Sequence, residues 1–285
     1  MSKTSFIDIG ELGWSLYLSA HLRWRKEKNN ESFAVFTSPN RFCLYKDIAD
    51  EVLPLPAKYY SRFKTCQENC SGLKGVHRNE LEYFFKENLP RDYSLSNLPL
   101  GCYKDLRVGP NKIYAPYPYS KRIEGRREII VLPRHREAYP FSLRNLPERF
   151  YIKMVRKLCD TFPRYLIRTM GIPFGSYSMD GIMRDNYING VSQGNNLQDI
   201  IDRCQVAICS IGGTSSLPKL AMLQGLPSFI IGHEPERFKI QENWRKTKVG
   251  FYHIKGGPSG LFDFEDCVAK ILSFIKEVRN ETISN

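Results

Sequence analysis

The chain has 285 residues, 42% hydrophobic and 25% charged, enough to bury a core and unlike a disordered tail. Lys and Arg outnumber Asp and Glu by 42 to 30, a formal charge of +12 that favours anionic partners such as phosphorylated small molecules, nucleic acid or an acidic membrane. No apolar run is long enough to span a bilayer, and the opening MSKTSFIDIGELGW lacks a secretory signal pattern, which predicts a cytoplasmic chain.

In chain order, FIDIG (6–10) is a short buried strand. It is followed by a helix that places Leu12, Leu16, Ala20 and Trp24 on one face. FAVFTS (33–38) is a second strand ended by Pro39-Asn40, and RFCLYKDIADEVLPLP supplies a short helix and an edge. Alternation of this kind marks a parallel sheet covered by helices. The stretch 58–120 holds an amphipathic helix around NELEYFFKEN (79–88) and loops rich in Pro and Asn, and IYAPYPYSKRIEGRR (113–127) has the composition of a linker. These features predict two domains, 1–122 and 123–285.

The second half predicts a strand at 128–133, a helix within 144–162 opened by Pro147, a strand in 164–172 and a short strand at 187–191. A helix over 197–204 with Asn196 as a candidate cap comes next, then a strand over 205–213, a helix over 214–225 closed by Gly225, a strand at 226–232 and a last helix at 262–280. That order predicts a doubly wound α/β sheet. Of the eight cysteines, Cys159, Cys204, Cys209 and Cys267 lie in apolar patterns and suit a core. Cys66 and Cys70 have no second pair to complete a zinc site, and the basic clusters RWRKEK and RRE are short and broken by acids, unlike a nucleic-acid arm.

The strongest chemical feature is the strand–glycine–helix junction ICSIGGTSSLPKLAMLQGLPSFIIG (208–232). A strand that empties through Gly212-Gly213 into Thr214, Ser215 and Ser216 offers backbone N–H groups, hydroxyls and a helix dipole to an anion. The same residues also suit a tight turn in which Ser and Thr cap the helix. Lys219, one turn on, is a further phosphate candidate or a solvent-facing lysine.

This junction resembles the donor-binding half of GT-B glycosyltransferases, where a small-residue phosphate turn precedes a helix ending in A-x-x-x-G-x-P. LQDIIDRCQVAIC is similar to the helix and strand before that turn in heptosyltransferase-like enzymes, and RNLPERFYIKMVRKL resembles their helix with a W-P-x-x-x-F pattern, Leu146 replacing the aromatic. IGELGWSLYLSAHLR (9–23) is similar to the glycine-rich first loop and helix of their acceptor domain. The resemblance implies two Rossmann-like domains facing across a cleft and a nucleotide-sugar donor bound mainly by the C-terminal one. It implies an inverting transfer to a hydroxyl of a glycan or lipid-linked acceptor that needs neither metal nor cofactor. The Asp that such enzymes carry after the second glycine is replaced by Trp14, which leaves Glu11 as the nearby carboxylate that could accept the acceptor's proton, or cap the helix.

In the loop PRHREAYPFSLRN, Arg134, Arg136 and Arg144 are candidates to hold the departing diphosphate, or else solvated arginines. Gln193, Asn196, His233 and Glu234 are candidates for the donor cleft, although a lone His after a strand is often incidental. Tyr59, Tyr60, Arg62 and Lys64 could touch lipid headgroups at a peripheral membrane contact. Two rival readings keep the fold: a nucleotide-sugar epimerase, and a non-catalytic protein that binds an anionic glycan or nucleic acid.

Overall fold

The computed structural model describes residues 3–8, 12–55, 87, 93–94, 127–135, 144–172, 175–194, 196–233, 247–255 and 262–283. The chain divides into two compact units, Met1–Pro118 and Tyr119–Asn285. The junction placed near 122 lies outside the described residues, as does the helix expected at 79–88 apart from Glu87. Tyr59, Tyr60, Arg62, Lys64, Cys66, Cys70 and Cys102 also lie outside them.

The first unit contains β1 (Lys3–Asp8), α1 (Leu12–Asn29), β2 (Phe33–Thr37), a short 3-10 helix (Pro39–Leu44), β3 (Glu51–Pro54) and β4 (Tyr93–Ser94). The strands lie in the order β3-β2-β1-β4, every pairing parallel. The unbroken apolar run FAVF suits β2, whose five residues are all buried. Past the end of α1, Asn30 adopts φ 51°, a left-handed conformation that asparagine tolerates, while its N–H still reaches the Lys26 carbonyl.

The second unit contains β5 (Glu128–Leu132), α2 (Glu148–Thr161), β6 (Leu166–Thr169), β7 (Tyr187–Asn189), α3 (Leu197–Val206), β8 (Cys209–Gly213), α4 (Ser216–Leu223), β9 (Ser228–Gly232), β10 (Val249–His253) and α5 (Phe264–Ile283). Its sheet runs β10-β9-β8-β5-β6-β7 with every pairing parallel. From the other edge this is the 3-2-1-4-5-6 order of a doubly wound sheet. Alternate residues of the central strands, among them Ile129, Val131, Cys209, Ile211, Phe229 and Ile231, join one core with the apolar faces of α2 and α5. α3 and α4 pack together, α3 against β5 and α4 against β8 and β9. Cys159, Cys204, Cys209 and Cys267 are buried free thiols, as their apolar surroundings in the sequence predict.

The element boundaries move for identifiable reasons. α3 runs on to Val206 before the Ala207 N–H closes it on Arg203, so β8 starts later than the apolar run suggests. α4 starts at Ser216 because Ser215 keeps extended backbone angles (φ −142°, ψ −179°). It ends at Leu223 and is closed, as predicted, by Gly225, whose φ of +76° allows the Leu226 N–H to return to the Ala221 carbonyl. β10 is an additional strand that no sequence signal marked.

Candidate functional site

The second sheet reverses its winding between β5 and β8, the place where open α/β sheets hold ligands. Leu132 stands beside Gly212 in that pairing, so Pro133-Arg134-His135 and Thr214-Ser215 leave the same carboxyl edge side by side. β9 joins them, with Ile231 beside Gly213.

Glycines bring these strand ends together. A Cβ on Gly212 would stand 2.5 Å from Pro218 Cγ and 3.2 Å from the Leu132 carbonyl oxygen, so the absent side chain lets α4 close onto β5. One on Gly232 would meet Thr214 Cγ2 at 2.6 Å, and Thr214 thus spends its side chain on packing over β9. A Cβ on Gly213 would make ordinary contacts, 3.4 Å from Tyr151 Oη and 3.5 Å from the Arg144 carbonyl oxygen. Ser215 is the N-cap of α4, but its hydroxyl makes no capping hydrogen bond, and no acidic residue occupies the first turn. The start of α4 therefore keeps N–H groups and a favourable dipole for an anion.

The connection from β5 to α2 folds over this turn. Arg134 is buried, pairs across a bridge with Ser176, and donates from Nη1 to Asn145 Oδ1 at 2.6 Å, tying the end of β5 to the residues before α2. The His135 ring stacks on Tyr177 with centroids 4.3 Å apart, while its buried Nδ1 has no hydrogen-bond partner. From α2, Tyr151 is fully buried beside the Arg134 backbone, and its hydroxyl proton finds no acceptor among the described residues. Burial pushes the Tyr151 phenol far above its ordinary range, against the opposing influence of the Arg134 backbone and charge.

The structure thus gathers Arg134, Gly212, Gly213, Thr214, Ser215 and Ser216 at one edge, with the Arg144 backbone over Gly213. The Arg144 side chain is exposed, Lys219 lies one turn into α4, and half-buried His233 follows β9 directly. Gln193 and Asn196 follow β7 in the chain, and Asn196 opens α3, which packs against β5 and α4. The Asn196 side chain instead caps α3, accepting from the Asp199 N–H at 3.0 Å while the Asp199 carboxylate accepts from the Asn196 N–H at 2.9 Å. Glu11, Arg136 and Glu234 lie outside the described residues.

Sequence reasoning missed two groups. Tyr151 looked like one more apolar position of α2, and only its hydroxyl, in a stretch otherwise facing the core, could have signalled a role. In the first unit the last residue of β1 is Asp8, 1% exposed. Its carboxylate accepts from Tyr45 Oη at 2.7 Å, Ser15 Oγ at 2.9 Å, Thr37 Oγ1 at 3.2 Å and Arg41 Nη1 at 3.3 Å. Glu11 is therefore not the one carboxylate near the end of β1. The signal was a charged residue inside the apolar run FIDI, which burial allows only with partners.

No family model matches the sequence, and no curated protein matches it. Solved structures do match in fold. A glycosyl transferase family 9 structure from Veillonella parvula aligns with a TM-score of 0.59 at 10% identity, over 97% of this chain and 98% of that one. The E. coli heptosyltransferase WaaC with ADP aligns with a TM-score of 0.53 at 10% identity, over 97% and 99%. The dodecameric glycosyltransferase TibC from enterotoxigenic E. coli H10407 aligns with a TM-score of 0.50 at 12% identity, over 98% of this chain and 77% of that one. The chain resembles heptosyltransferase structures in its α/β fold with parallel sheets, the GT-B type.

One expectation is corrected. TibC is described as iron-containing, so freedom from metal does not come with the resemblance. The described residues do not themselves fit such a centre, since among them no three His, Cys, Asp or Glu side chains gather to hold a metal ion.

Proposed function

We propose that this protein is a glycosyltransferase that moves a sugar from a nucleotide-sugar donor to a hydroxyl of a glycan or lipid-linked acceptor, with inversion at the sugar carbon. The observation that carries this reading is the uncapped N-terminus of α4 at the β5/β8 reversal, beside Arg134. Here the Gly213–Ser216 backbone and hydroxyls receive the diphosphate, with Arg134 and Arg144 as its cationic neighbours and Lys219 behind them. As the acceptor oxygen bonds to the sugar carbon, the bond from that carbon to the diphosphate breaks and the pair of electrons leaves on phosphate oxygen. Donors aimed at that developing charge lower the barrier. Glu11, by its place in the chain between β1 and α1, is the proposed acceptor of the hydroxyl proton.

Calorimetry and thermal melting with nucleoside diphosphates and nucleotide sugars test the donor site. A ligand at a hundred times its Kd raises stability by about 2.7 kcal/mol, a readily seen shift. One nucleotide should bind selectively, and Arg144→Ala or Ser215→Ala should weaken it about tenfold or more. Turnover should release nucleoside diphosphate when acceptor is supplied, and Glu11→Gln should abolish that release while leaving donor affinity intact. A sugar altered while still on its nucleotide would mean an epimerase, and no binding in the panel would refute the donor site.

A further inference from the structure

Among the buried polar groups of the second unit, Tyr151, His135 and Gln224 carry side-chain atoms without a hydrogen-bond partner, and of these Tyr151 is the one that lies against the glycine turn. The Arg168–Glu128 pair is closed at 2.7 Å, and Asn186 donates to three backbone carbonyls. The Tyr151 hydroxyl, fully buried beside the Arg134 backbone, finds no acceptor for its proton among the described residues. A buried hydroxyl whose proton has no acceptor is costly and rare, so its persistence calls for a use. Its position supplies one. Oη lies by Gly213, the last residue of β8, where an added Cβ would stand 3.4 Å from it. The neighbouring orphan, His135 Nδ1, belongs to a ring stacked on Tyr177, which in turn packs at 6.1 Å from the Tyr151 ring.

We infer that the Tyr151 hydroxyl is a ligand-binding donor, which hydrogen-bonds a phosphate oxygen of the molecule seated between the ends of β5 and β8. The inference rests on the donor-site reading above and adds to it a contact from the helix before the turn. Three features agree with it. A phenol that burial keeps protonated is a donor at every working pH, suited to an oxyanion. Helix α2 is rigidly packed, so its hydroxyl is held in place before the ligand arrives. Glycine at 213 is explained as well: its φ is not positive and the space around it would accept a methyl group, so neither strain nor packing demands glycine there.

The test uses two conservative variants and inorganic pyrophosphate beside the nucleoside diphosphate that the wild type selects. Tyr151→Phe removes one oxygen, and Gly213→Ala places a methyl 3.4 Å from it. Both should weaken pyrophosphate and nucleoside diphosphate about tenfold or more, and Tyr151→Phe should melt no lower than wild type without ligand. Full affinity in Tyr151→Phe with loss in Gly213→Ala would keep the glycine turn as the site and overturn the role of the hydroxyl. A lower ligand-free melting point with unchanged affinity would show that the hydroxyl is bonded within the fold, and would also overturn it. If wild type binds none of the probes, the donor-site reading fails first and this inference with it.

Discussion

The two sheets end differently at their central strands, although both are parallel and both bury polar side chains there. β1 closes on Asp8, whose carboxylate is met by Ser15, Thr37, Arg41 and Tyr45. β5 and β8 close on a buried Tyr151 hydroxyl whose proton finds no acceptor, and a His135 nitrogen that finds no partner, among the described residues. A buried polar group with every partner in place stabilises one arrangement of the chain, whereas one without partners destabilises it until something else arrives. The first edge is satisfied within the fold; the second is the one we propose takes a ligand.

Breaking the satisfied edge should have the largest effect. In Asp8→Ala, three hydroxyls and the Arg41 guanidinium lose the carboxylate inside the first unit. Thr37, Tyr45 and Arg41 keep the carbonyl of residue 8, the Ser15 carbonyl and the Ser15 hydroxyl, respectively, as acceptors. Removing one partner of a buried charge pair typically costs about 3–5 kcal/mol, which should appear as a clear fall in the urea midpoint. Asp8→Asn keeps one acceptor oxygen and should fall between. An Asp8→Ala protein as stable as wild type would show that the network does not hold β1, and the contrast between the edges would lose its first half.

Gly212→Ala attacks the ligand edge through packing. The new methyl would lie 2.5 Å from Pro218 Cγ and 3.1 Å from Leu132 Cβ. Neither neighbour yields easily, the first being a proline ring in the first turn of α4 and the second a side chain fixed on β5. Overpacking of this kind costs about 1–3 kcal/mol, and it should lift the start of α4 away from β5. Nucleotide affinity should therefore fall further than in Ser215→Ala, because every N–H of that turn moves together. Unchanged melting and unchanged affinity would mean that α4 does not need to sit so close.

The second unit was largely legible in the sequence because parallel strands covered on both faces are continuous apolar runs, and EIIVL and SFIIG admit no other placement. The glycine turn was legible for a related reason: two glycines at the end of such a run leave little but a close approach of backbone to backbone. β10 was not, since VGFYH is short, carries a glycine and packs its flank against the Phe229 and Phe274 rings, a tertiary contact that no local pattern carries. Tyr151 and Asp8 were hidden for the same reason. Whether a buried hydroxyl or carboxylate finds partners depends on residues up to 37 positions away, as with Tyr45 and Asp8.

Asn196 measures the contrast at its small end. From the sequence it had two readings, a cap for α3 and a contact in the donor cleft. The structure commits its side-chain oxygen to the Asp199 N–H, with the Asp199 carboxylate returning to the Asn196 N–H. Losing an N-cap of this type costs about 1 kcal/mol, within a range of roughly 0.5–2. Asn196→Ala should therefore lower the melting temperature modestly and leave nucleotide affinity where it was, while Asn196→Asp, which caps equally well, should restore the stability. A loss of affinity in Asn196→Ala that Asn196→Asp failed to repair would bring the donor to the start of α3, and with it Gln193. The ligand would then reach past the turn between β5 and β8, and the role proposed for the Tyr151 hydroxyl would have to be revised.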